Sequence, residues 1–332
     1  MAHLILRVVK NIFFNILISV IMVKLSILLA GLILVIIQQF IEPLSLQLQF
    51  VIFLTGIVIL GVPHGAADLL VATQNAKENN RKFSNINFFI NYLGRLFIFA
   101  IVLKFFPLFG NVLFIFLAAY HFGETDLSGF KINTTLGKAV VINYGLLILG
   151  VILLIHYQEV KLLLMQFDEG RENITFINII GVNRYNILFF LSISFVIFAF
   201  LFFNKSTPSR YSLVLFGLQS ILILFLLYHL PMMLGFTYYF IIWHSLLSLR
   251  NIIRYLHKDG LFPNKIIIKQ IVIYSFLAIS GIITFGLTGI MYLNNNSMII
   301  YIFLGLAVLT APHMQIMHNM YNSMKLSSGS SK

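Results

Sequence analysis

"VIFLTGIVILGVPHGAADLL", residues 51–70, is an apolar run that ends on an imidazole and a carboxylate. About 20 apolar residues wound as a helix cross a bilayer's hydrocarbon core, so the run reads as a membrane span. Pro63, His64 and Asp68 then fall where lipid tails lie. Runs of this kind recur along all 332 residues, which are 60% hydrophobic, 15% aromatic and only 10% charged. A soluble domain has roughly 45–50% apolar and about 25% charged residues. The expected fold is therefore an all-α, polytopic transmembrane helical bundle with no soluble domain.

Ten spans are expected, at 13–40, 47–73, 86–106, 108–128, 138–156, 185–203, 210–230, 232–256, 266–292 and 297–321, in one domain covering 1–326. Polar, breaker-rich stretches separate them: NAKENNRK (75–82), NKSTPSR (204–210), HKDGLFPNK (257–265) and NNNS (294–297). The first span carries Lys24 and lacks a small-residue cleavage site, so it reads as an anchor rather than a removed signal. The longest connection, 157–184, contains VKLLLMQF, which suits a segment lying along the membrane surface. The low-complexity SSGSSK (327–332) is expected to be a disordered tail.

The 22 Lys and Arg against 10 Asp and Glu leave a net charge of +12. On a soluble chain that excess would suggest nucleic acid. Here it lies in the short connections between spans, where it sets orientation instead, and no nucleic-acid partner is expected. Arg7, Lys10, Lys77, Arg81, Lys82, Lys131, Lys205, Lys258, Lys265 and Lys325 share one side. The other side holds Glu42, two uncharged connections, the acidic QFDEGRE (166–172) and NNNS. Both termini are thus expected in the cytoplasm, with the chain in the cell (inner) membrane. The absence of cysteine removes disulfides, thiolate metal sites and a cysteine nucleophile.

Of nine histidines, His3, His156 and His257 lie at ends or loops, and His229 sits at a helix end, where a backbone hydrogen bond serves it. His64, His121, His244 and His313 form a different group. They fall in the second, fourth, eighth and tenth expected spans, which run in the same direction, and each lies in the middle or cytoplasmic half. Ionisable groups inside a bilayer are costly and need partners. Four imidazoles at matched depth on parallel helices point to one shared metal site. Asp68, four residues after His64, is expected on the same helix face, and Asp126 follows His121 by five. Carboxylates so placed can accept the distal N–H of a ligating imidazole and orient its ring. Glu124 is read as a solvated helix-end acid. Tyr120 and Trp243, each just before a histidine, are candidate substrate-wall residues, with ordinary packing as the alternative. An all-imidazole donor set suits iron, zinc or copper. An apolar surround of Phe, Tyr and Met favours oxygen chemistry on an apolar substrate, with ferrous iron, Fe(2+), as the leading choice.

GVPHGAADLL (61–70), YHFGETD (120–126), LPMMLGFTYYFIIWHSLLSLR (230–250) and LTAPHM (309–314) resemble, in order, elements of the Brp/Blh family of membrane β-carotene 15,15′-dioxygenases. The resemblance implies a multi-helix membrane enzyme that uses iron and O₂ to cleave β-carotene at its central double bond. The product would be two molecules of retinal, which the family supplies to microbial rhodopsins. It also implies four histidine ligands, of which His64, His121 and His244 match. Where the family usually has a second histidine four residues after the third ligand, this chain has Ser248, leaving His313 or a water to complete the set. Two other classes stay open: a b-type haem electron carrier, since haems are also held by intramembrane histidines, and a carotenoid- or lipid-binding or transport protein without turnover.

Overall fold

The computed structural model of the chain describes residues 21–165, 168–206, 208–258, 261–293 and 298–329. His3 and the start of the first expected span lie outside them. Among the described residues there is no strand, and nine helices are long and apolar enough to cross a membrane. In chain order these are α1 (Ile21–Ile41), α2 (Leu46–Glu78), α3 (Asn85–Phe105), α4 (Pro107–Asp126), α5 (Thr135–Ile155), α6 (Ile174–Ser206), α7 (Arg210–His229), α8 (Met232–His257) and α9 (Asn264–Leu293). A further long helix, α10 (Met298–Gly329), occupies the place of the tenth expected span and extends past it; residues 330–332 of the tail lie outside the described residues. In lipid no water satisfies the backbone, so these apolar runs must bond within themselves as helices.

Side-chain caps set several boundaries. Ser45, Ser84, Thr134 and Ser209 each accept a backbone N–H from the first turn of the helix that follows. Pro107 starts α4, where a missing N–H costs nothing. The largest boundary difference is at α6, which begins eleven residues before the expected 185. Its first turns dock on a short helix, Tyr157–Leu164: the Tyr157 hydroxyl donates to the Ile177 carbonyl and Lys161 Nζ to Asn178 Oδ1.

Burial separates the helices into an inner and an outer set. In its most apolar stretch α8 is 78% buried inside the protein, whereas α6 is 6% and α3 and α9 are each 11% buried. Helix α8 is therefore the hub, and the outer helices present Phe, Ile, Leu and Val to lipid. Close backbone approach joins α4 to α5: a Cβ at Gly123 would run into the Val141 carbonyl, and one at Gly145 into that of Ala119. Helix α10 packs against α2, α3, α4 and α9, which brings it to the centre of the bundle beside α8's neighbours.

Two spans depart from regular α-helix where function was expected. In α2 a π-helical stretch, Ile57–Gly61, precedes His64, and a turn at Ala66–Ala67 restarts the helix at Asp68. In α8 residues Thr237–His244 are π-helical and end on His244 itself. Such widened turns are frequent at functional sites because they re-aim side chains. Pro312, by contrast, sits inside α10 without ending it.

Candidate metal centre

Helices α2, α4, α8 and α10 each bring one histidine to a common point. His64, His121 and His244 are all buried, and each offers a ring nitrogen within 4.8 Å of the other two. His121 Nε2 and His244 Nε2 are 3.0 Å apart. The buried His313 ring lies beside them, its centroid 4.9 Å from that of His64 and 5.2 Å from that of His121.

The outward-facing nitrogens show which atoms are available. His64 Nδ1 faces the Leu60 carbonyl at 3.4 Å, and His313 Nδ1–H donates to Asp68 Oδ1 at 2.8 Å. Both therefore keep Nε2 for another partner. His313 Nε2 is buried and has no hydrogen-bond partner among the described residues, although burying such an atom is costly. Two imidazole nitrogens on one first-row ion, each at about 2.0–2.1 Å, stand roughly 3 Å apart at near-right or tetrahedral angles. The His121–His244 separation matches that spacing. A porphyrin plane would separate its two axial imidazoles, and nitrogens 3.0 Å apart leave no room for one. The cluster suits a single ion.

The two expected carboxylates have different surroundings. Asp68 was expected to share a face with His64, but the turn at Ala66–Ala67 breaks that phase. Asp68 instead takes His313 Nδ1–H on one oxygen and the Tyr92 hydroxyl, at 3.1 Å, on the other. Asp126 is buried and accepts from Tyr144 at 2.9 Å, Tyr239 at 3.1 Å and the Trp243 indole at 3.0 Å. None of these donors is a histidine, yet Tyr239 and Trp243 belong to the π-helical stretch that ends on His244. The carboxylate thus holds the backbone that carries a candidate ligand. Lys24 lies over the Trp243 ring, 5.7 Å from its centroid, and its Nζ donates to Gln219.

The two expected wall residues both have polar partners. Trp243 turns to Asp126, and the Tyr120 hydroxyl meets His318 Nδ1 at 3.4 Å and Glu124 Oε1 at 3.5 Å. Phe122 and Phe240 are the rings beside the imidazoles: Phe122 is 4.7 Å from His244, and Phe240 lies parallel to His244 at 6.1 Å and edge-on to His64 at 6.3 Å. Glu124 is 1% exposed rather than solvated, and it pairs with His318 Nδ1 at 3.0 Å. His318, Tyr92, Phe122 and Phe240 were not singled out in the sequence. Phe122 adjoins His121 and Phe240 lies one turn before His244, so spacing carried a signal for these two. For Tyr92, on a separate span, there was none.

Ser248 is fully buried, one turn after His244. It neighbours the Tyr321 hydroxyl, which also bonds Thr125 Oγ1 and Asn251. Thr125 in turn bonds the His121 carbonyl. Asn251, Tyr321 and Thr125 thus tie α8 to α10 and α4, while Ser248 Oγ beside them is buried with no hydrogen-bond partner among the described residues. His229 behaves as expected, donating from Nδ1 to the Phe225 carbonyl at 2.9 Å.

Fold and centre together define the class: a polytopic helical membrane protein that buries a histidine cluster able to hold a metal ion. The chain belongs to the beta-carotene 15,15′-dioxygenase family, whose family model matches residues 55–321, well over half its length. No curated protein and no solved structure matches it.

Proposed function

We propose that the protein is an iron-dependent dioxygenase of the membrane that cleaves β-carotene, or a closely related polyene, into two aldehydes, retinal in the case of β-carotene. The observation that carries this is the convergence of His64, His121 and His244, with the unpartnered His313 Nε2 beside them, inside an apolar bundle of the matching family. His64, His121, His244 and His313 would hold Fe(2+), and Asp68 orients His313 from behind. Four neutral imidazoles, with no thiolate or carboxylate among them, suit that ion. Bound iron supplies activation of O₂ toward a carbon–carbon double bond.

The chain's residues do the rest. Phe122 and Phe240 line the imidazoles with flat apolar surface, which excludes water and suits a conjugated chain. Asp126, through Tyr239 and Trp243, keeps the end of the π-helical stretch in place, so that His244 faces His121. In the overall change one C=C bond and the O–O bond break and two C=O bonds form. Both oxygen atoms of O₂ enter the products, and no net proton or outside reductant is needed. That balance agrees with a site built of imidazoles and hydrocarbon. The polyene would enter from the lipid, and the retinal would leave the same way toward a rhodopsin-type acceptor.

The test is expression in cells that make β-carotene, with iron supplied, comparing wild type with His64→Ala and His244→Ala. Wild type is expected to convert the pigment to retinal and to purify with about one iron per chain, and both variants are expected to lose both properties. Intact β-carotene alongside well-folded, iron-loaded wild type would overturn the proposed reaction.

A further inference from the structure

Arg95 stands ten residues into the 21-residue helix α3, about 15 Å from its start at 1.5 Å per residue. That is half the depth of a hydrocarbon core of about 30 Å. Its side chain is exposed on the protein surface, and no ion pair to it occurs among the described residues. An arginine at that depth is costly to insert, and such residues face a polar cavity or a partner.

A cavity is present. Arg95 lines a cleft of about 450 Å³ between α2, α3 and α10, which it shares with Arg81 and Lys82 of the connection between α2 and α3. Among the described residues no acidic side chain lines this cleft. Glu78, at the end of α2, is engaged elsewhere by Tyr255 and Lys258. Asn87, Asn91 and Asn319 add amide groups to the wall, while Phe88 and Ile316 add apolar surface. The cleft thus runs from a cationic rim to a cation at mid-depth, and α3 and α10 each contribute both amide groups and hydrocarbon to its lining. Its volume falls within the range of small-molecule sites, roughly 300–1,000 Å³.

We propose that this cleft binds the phosphate headgroup of an anionic phospholipid. Arg81 and Lys82 hold the headgroup at the rim, and the Arg95 side chain extends along α3 toward it, as long cationic side chains do in membranes. The start of an acyl chain lies against Phe88 and Ile316. Three cations without a counter-charge call for an anion, and the apolar lining calls for a lipid rather than a free ion. The cleft abuts the histidine cluster at Tyr92 and Pro312, but its three cations lie outside that cluster, and the proposal stands whether or not the chain cleaves carotene.

The experiment is native mass spectrometry of the purified full chain after incubation with phosphatidylglycerol, phosphatidylcholine or inorganic phosphate. Wild type is expected to retain one phosphatidylglycerol per chain, with weaker retention of phosphatidylcholine and none of phosphate. Arg95→Gln is expected to lower retention about fivefold, as for one cation beside an anionic surface, and Arg81→Gln with Lys82→Gln by more. The rim pair is solvent-facing, so it reports on the site even if the Arg95 variant misfolds. Lys205→Gln, in the last turn of α6 and outside the cleft, should leave retention unchanged. Equal retention of the two lipids, or unchanged retention in the rim variant, would overturn the proposal. Competition by millimolar inorganic phosphate would assign the site to a free anion and overturn it as well.

Discussion

Asp68 shows how much one carboxylate can organise. Its two oxygens bind across the bundle, one to His313 on α10 and the other to Tyr92 on α3. A carboxylate behind an imidazole fixes its tautomer and direction, and losing such a partner lowers metal affinity or activity about 10–100-fold. Asp68→Asn is therefore expected to weaken iron binding by that order while leaving the helical far-UV spectrum intact. A chelator competition titration checks it, and unchanged affinity would remove Asp68 from the proposed site. Ser248 makes the opposite point. It is fully buried beside the Tyr321 hydroxyl, and its Oγ has no hydrogen-bond partner among the described residues. Ser248→His would force a large ring into a fully buried position, and overpacking of that kind costs about 1–3 kcal/mol. The expected outcome is a lower Tm with no gain in iron per chain; a gain would mean that a fourth ligand was missing.

At the scale of elements, function follows the irregular turns. The π-helical end of Thr237–His244 aims His244 at His121, and the break at Ala66–Ala67 sends Asp68 to a neighbouring helix instead of back to His64. A second junction lies at the far end of α5. There His156 Nε2–H donates to the Leu227 carbonyl, its Nδ1 faces Glu159 at 3.5 Å, and Glu159 accepts the Met232 N–H that opens α8. Burial pulls the His156 pKa down, but the Glu159 carboxylate and the Leu227 carbonyl outweigh it and leave the value raised. Protonated His156 is thus favoured in the fold, and the stability it adds is complete below about pH 6.5, its unfolded value. That contribution is lost as pH rises through the raised folded value. Thermal unfolding of wild type from pH 5.5 to 8.5 should show this decline, and His156→Gln should flatten it. Parallel profiles would show that the junction is not what titrates.

For the whole molecule, the candidate centre draws His64, His121 and His244 from three helices spread over the chain, with His313 of a fourth beside them. An ion bound there stabilises only the assembled bundle, by about 2.7 kcal/mol when free metal is 100 times its Kd. Stripping the purified protein with a chelator is expected to lower Tm by several degrees, and ferrous iron to restore it. A Tm indifferent to both would mean that the cluster holds no ion. The same architecture explains how much was legible beforehand. Span positions followed from run length, with most boundaries within a few residues. The docked start of α6 was missed because it depends on Tyr157 and Lys161 from another segment. The four histidines were legible as candidates because imidazoles are rare at membrane depth; His318, five residues after His313, carried the same signal, whereas Tyr92 looks ordinary until a partner from another helix arrives.

Composition and pattern by themselves determined an all-α membrane bundle with candidate ligands on four of its helices, because a lipid-embedded backbone must bond to itself and a buried imidazole needs a reason. Only the tertiary structure decided which atoms meet. Asp68 and His313 are 245 residues apart in the chain, and Trp243 and Asp126 are 117 apart. Such pairings depend on crossing helices, widened turns and the close approach at Gly123 and Gly145. Hydropathy reports how deep a residue lies, but two residues at the same depth meet only when packing turns their helices toward each other.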